Sequence, residues 1–170
     1  VGSEMCIRDR YSCAGSSNGP SSNFYGWLLV SSRTGAGGMI RQDAWNALGQ
    51  PDHFVRYAVD GVWTPWEYVN PPMQLGVEYR TVEQYNSKPV YAKAISFGQA
   101  PNATYKDVSH GIENFSQLVS YTGMMGGANL IEASGVDNIQ INASNIRITT
   151  NTDVSANYVY LVLRYTKTTD

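Results

Sequence analysis

Residues 156–167 read Ala-Asn-Tyr-Val-Tyr-Leu-Val-Leu-Arg-Tyr-Thr-Lys, and in an extended chain successive side chains point to opposite faces. One face carries Val159, Leu161, Leu163 and Tyr165; the other carries Tyr158, Tyr160, Val162 and Arg164. Both faces are largely apolar or aromatic, which predicts a strand covered on both sides, with another subunit as one possible cover. The same period of two recurs upstream. Ile139 and Ile141, then Ile146 and Ile148, alternate with polar residues around Asn142-Ala-Ser-Asn145, a hairpin with one face in and one face out. Further strands are expected at 24–32, 38–43, 53–59, 63–69, 89–97, 105–109 and 117–121. Helical periodicity is nearly absent, with one short turn expected near 42–48. Leucine is scarce, at eight residues, while Val, Ile, Thr and Tyr are plentiful, the composition of pleated surfaces. The chain is predicted to be all-β.

Charge excludes several classes of function. Charged residues make up 15% of the chain and the net charge is −2, so no basic face for nucleic acid is expected. No apolar run approaches the roughly 18 residues of a membrane span. His53 and His110 lie far apart, and neither HxxxH nor CxxC spacing occurs, so neither a metal site nor a cofactor is expected. Gly35-Ala-Gly-Gly38 and Gly123-Met-Met-Gly-Gly127 lack a following Lys-Ser/Thr and read as turns rather than phosphate loops.

The organisation is read as four segments. Residues 1–10, Val-Gly-Ser-Glu-Met-Cys-Ile-Arg-Asp-Arg, match the translation of a transposon-end adapter used to fragment DNA for sequencing. They are expected to be an artefact of an assembled environmental sample, with the genuine protein continuing upstream of Tyr11. Cys6 then leaves the count, and Cys13 has no partner. Residues 11–70 are read as a truncated β module that has lost its opening strand. Residues 71–88, which begin at Pro71-Pro72, are read as a stiff linker. Residues 89–170 are read as a C-terminal antiparallel β-sandwich.

Two stretches carry a resemblance. The Asn18-Gly-Pro20 turn, Gly26-Trp-Leu-Leu-Val30, Ile40-Arg-Gln42, Val55-Arg-Tyr57 and Gly61-Val-Trp-Thr-Pro-Trp66 resemble the pyocin-knob module of phage tail fibres and related bacteriocin fibres. Gly76–Tyr91, with Glu78-Tyr-Arg-Thr81 and Lys88-Pro-Val-Tyr91, together with the closing Tyr165-Thr-Lys167, is similar to C-terminal β-domains of tail fibre proteins from phages and prophages of gut bacteria. The resemblance implies a small knob-like antiparallel module followed by a β-sandwich, in the distal, receptor-binding part of a tail fibre. It implies a homo-oligomer, a trimer, carried on an upstream fibre shaft. The protein would be made in the bacterial cytoplasm and act in the virion by attaching to bacterial cell-surface polysaccharide. It transfers no catalytic residue.

Candidate ligand-binding residues follow from aromatic placement. Trp45, in the polar setting Gln42–Asn46, is the expected exposed platform. Trp66 and Tyr68 share a face by alternation, as a sugar-stacking row or as core. Tyr121, Met124 and Met125 are expected in an adaptable loop, or as a cap on the sandwich. Asp107, Ser109 and His110 are not expected to form a triad, because adjacent strand residues face opposite ways. Asp107, Glu113, Glu132, Asp137 and Asp153 show no diagnostic spacing for glycoside hydrolysis, so no enzyme is expected. The alternative is a carbohydrate-active enzyme or its accessory sugar-binding module. Asn102, Asn114 and Asn142, each in a glycosylation-like tripeptide, read as turn residues.

Overall fold

The computed structural model describes residues 6–14, 18–21, 24–33, 38–47, 52–127, 129–131 and 135–170. The chain is all-β with predominantly antiparallel pairing, and it divides into two units, residues 1–72 with 80–82 and residues 73–79 with 83–170.

In the first unit four strands form an antiparallel meander. These are β1 (Cys6–Ala14), β2 (Tyr25–Arg33), β3 (Met39–Asn46) and β4 (His53–Val59). β1 runs through residues read from the sequence as adapter-derived, at the place where an opening strand was expected to be lost. A ladder of backbone hydrogen bonds asks little of side-chain identity. The helical turn expected near 42–48 is not formed, because 42–46 lie in β3; residues 48–50 fall outside the described residues. Asp60 and Gly61 take φ of 51° and 81°, the two left-handed positions of a tight hairpin. They return the chain as β5 (Val62–Trp63) against the end of β4. The single strand expected over 63–69 is broken at Thr64-Pro65-Trp66. It resumes as β6 (Glu67–Tyr68), paired with the start of β4.

The second unit is a sandwich. One sheet has the order β7 (Glu78–Tyr85), β8 (Lys88–Gln99), β14, β10, β11, and the other has β12, β13, β9. The strands are β9 (Tyr105–Ser109), β10 (Phe115–Met125), β11 (Asn129–Leu130), β12 (Val136–Ile141), β13 (Asn145–Thr150) and β14 (Tyr158–Lys167). β7 occupies the stretch read as linker. Asn86 and Ser87, with φ of 50° and 62°, fold it onto β8 through a two-residue turn.

Between the sheets lie Ile95 and Phe97, Ile146 and Ile148, and Val159, Leu161, Leu163 and Tyr165, all buried. The hairpin at 142–145 forms as its alternation predicts. Asn142 Oδ1 accepts hydrogen bonds from the amides of Ser144 (2.9 Å) and Asn145 (2.8 Å), so this asparagine is a turn residue. On the other face of β14, Tyr158 and Tyr160 are 54% and 45% exposed, while Val162 and Arg164 are half-buried.

Candidate functional site

The meander of the first unit presents two faces. On one, register places Trp27 beside Trp45 and Trp45 beside His53. Trp27 is exposed. Trp45 is half-buried, with its ring stacked on His53 at 4.7 Å. His53 Nε2 lies 3.2 Å from Asp43 Oδ1, and Arg41 donates two 2.7 Å hydrogen bonds to the same carboxylate. The hydrogen bond with Asp43 raises the Arg41 pKa. One ring face of Trp45 is therefore covered by a neighbour.

The opposite face packs Phe24, Ala44 and Phe54 with Leu28, Trp66 and Tyr68. Tyr68 is half-buried, with its ring centroid 4.5 Å from that of Phe54. Two residues along β4 from Phe54 comes Arg56. Its Nε donates to Gln42 Oε1 at 2.8 Å, and its Cζ lies 4.4 Å from the Trp63 ring centroid and 4.3 Å from that of Trp66. An unbroken strand would put residues 63 and 66 on opposite faces; the break at Thr64-Pro65 lets both indoles reach Arg56. Thr64 anchors that break. Its amide donates to the Tyr57 carbonyl at 2.8 Å, and its hydroxyl oxygen accepts from the Tyr57 amide at 3.0 Å.

The indole N–H of Trp66 donates to the Asn18 carbonyl at 3.1 Å and so holds the Asn18–Pro20 turn against the sheet. Between that turn and the sheet lies a cavity of about 200 Å³ lined by Asn18–Pro20, Leu28, Gln42, Arg56 and Trp66. Each stretch that carried the knob resemblance contributes to this cavity or to the cation beside it. Burial lowers the Arg56 pKa, and among the described residues no carboxylate pairs with it. Chemically the site offers hydrogen-bond donors beside two aromatic rings. Sequence reasoning missed Arg56 because its significance depends on three segments meeting; the matched Val55-Arg-Tyr57 was the available signal.

The remaining candidates lie in the second unit. Tyr121 is half-buried and packs against the sandwich core, and Met125 is 2% exposed within it. Met124 is half-buried, opposite Tyr160. The methionines close β10 rather than forming a loop, because the turn is made by Gly126 and Gly127, at φ of 65° and 80°. Thus Trp45 and Tyr68 belong to one unit, and Tyr121, Met124 and Met125 to the other. His110 is buried. Its Nδ1 accepts from the Ile112 amide at 3.1 Å and its Nε2 lies 3.0 Å from the Asn142 carbonyl, so both ring nitrogens serve the fold. Asp107 is held by Arg147 through hydrogen bonds of 2.8 and 2.7 Å, which keep its carboxyl below the usual carboxylate range.

Among the described residues no helix is long and apolar enough to cross a membrane. No family model and no curated protein matches the chain. Among solved structures, an N-truncated R2-type pyocin tail fibre is similar to it, at 9% identity and a TM-score of 0.35, over 86% of this chain and 84% of that one.

Proposed function

We propose that the chain is the distal part of a phage or prophage tail fibre, acting without catalysis to attach the particle to a bacterial surface glycan. The observation that carries this reading is the cavity at Arg56, where the Asn18–Pro20 turn, Gln42 and Trp66 meet, with Trp63 on the same guanidinium. Aromatic rings stack on the apolar C–H faces of sugars. The terminal N–H groups of Arg56 and the amide of Gln42 can exchange hydrogen bonds with sugar hydroxyls. A small site of this kind binds weakly, and a trimeric fibre multiplies it through avidity. The open aromatic face of β14 is the proposed subunit contact.

The test is labelling of a panel of gut bacterial cells with the fluorescent chain, competed by each strain's purified surface polysaccharide. Selective labelling of some strains is expected. Trp63→Ala is expected to weaken it about tenfold, the equivalent of one aromatic contact; Trp63 is 38% exposed, so the change empties no core. Uniform absence of labelling by folded protein would refute the attachment reading. Release of reducing ends from the polysaccharide would replace it with the enzyme.

A further inference from the structure

Arg41, Arg80, Arg147 and Arg164 each pair with a carboxylate, at 2.7, 3.1, 2.7 and 3.4 Å. Arg56 differs from these four. It is half-buried, its Nε is engaged by Gln42, and its plane is flanked by Trp63 and Trp66. What it has left are the terminal N–H groups, and it lines the cavity closed by the Asn18–Pro20 turn. A guanidinium presents these donors as a rigid planar fork that matches a carboxylate, with two parallel hydrogen bonds. Partial desolvation strengthens such a pair relative to one on an open surface. The indoles and Gln42 orient the fork in advance, which lowers the ordering cost of binding. The cavity, at about 200 Å³, is smaller than the roughly 300 Å³ at which drug-sized pockets begin. It therefore suits one sugar ring rather than several.

Building on the attachment reading, we infer that this cavity takes the carboxylate of an acidic sugar residue, with the carboxylate on the terminal N–H groups of Arg56 and the ring against Trp66. Asp43, the buried carboxylate of β3, is already held by Arg41 and His53. A uronate-bearing polysaccharide would thus bring a counter-ion that, among the described residues, no carboxylate provides for Arg56.

The experiment follows the indole N–H resonances of the ¹⁵N-labelled chain during titration with sodium glucuronate, galacturonate and N-acetylneuraminate, and with the methyl ester of each. The ester keeps the ring and removes the charge. At least one acid is expected to move the Trp63 and Trp66 signals saturably while Trp27 stays still, with its ester about tenfold weaker. Arg56→Gln is expected to abolish the shifts, and Arg56→Lys to retain weak binding without the fork. The inference falls if esters bind as well as acids, if Arg56→Gln binds like the parent, or if no acid moves the signals of a folded sample. It also falls if glucose 1-phosphate binds more tightly than every carboxylate, which would assign the site to phosphorylated sugars. Carboxyl-reduced polysaccharide separates the two readings. If it competes for cells as well as native polysaccharide, attachment stands and the acidic-sugar inference does not; if no strain is labelled, attachment itself fails.

Discussion

Gly26 opens the most recognisable run of the first unit, Gly-Trp-Leu-Leu-Val. A Cβ at this position would lie 1.8 Å from the Trp45 carbonyl oxygen and 2.9 Å from its carbon, so the backbone itself excludes any side chain. Gly26→Ala is expected to cost about 3 kcal/mol, the upper end for overpacking, read as a drop in the urea midpoint followed by tryptophan fluorescence. Tyr165 poses a different problem, that of a phenol in a core. It is fully buried, and its hydroxyl donates to Glu78, which also holds Lys167. Burial first, and the Glu78 hydrogen bond second, push its pKa well above the ordinary 10.0. Above pH 10 the unfolded phenol releases its proton while the folded one keeps it, so stability is complete below pH 10 and falls as pH rises. Tyr165→Phe should cost about 1.5 kcal/mol at pH 7 and flatten that alkaline decline. Equal slopes for both proteins between pH 10 and 11 would refute the assignment.

Within an element, what the sequence reveals depends on how local the signal is. β4, β9 and the β12–β13 hairpin follow from their own alternation. β3 does too in its first half, although a short helical turn was expected near 42–48. β7 was hidden because Pro71-Pro72 drew the linker across it, while the Asn86-Ser87 turn that pairs it with β8 was the overlooked local signal. β14 shows alternation carried into energy. Leu161 is 1% exposed while its neighbour Tyr160 is 45% exposed. Leu161→Ala is therefore expected to destabilise the chain by about 3 kcal/mol, with Tyr160→Ala shifting the thermal midpoint far less. Similar losses for the two would contradict the assigned faces.

For the molecule as a whole, the proposed subunit contact makes a prediction in mass rather than stability. The Tyr158 and Tyr160 face, with Met124 beside Tyr160, is aromatic, and a net charge of −2 offers little repulsion between copies. Tyr160→Asp should convert a trimer to a monomer in light scattering while leaving far-ultraviolet circular dichroism unchanged; a monomeric parent protein would rule out this contact. The sequence by itself determined the all-β class, the inward face of β14 and the Asn142 turn. Each of these depends on the fixed geometry of neighbouring residues along an extended chain. Only the tertiary structure decided that Trp45 stacks on His53, that Tyr68 packs on Phe54, that Met125 is core, and that Arg56 meets Trp63 and Trp66 beside the Asn18–Pro20 turn. Those arrangements join residues as much as 48 positions apart. Strand register and the break at Thr64-Pro65 select them, and a linear pattern of polar and apolar residues does not encode which distant partner a side chain will face.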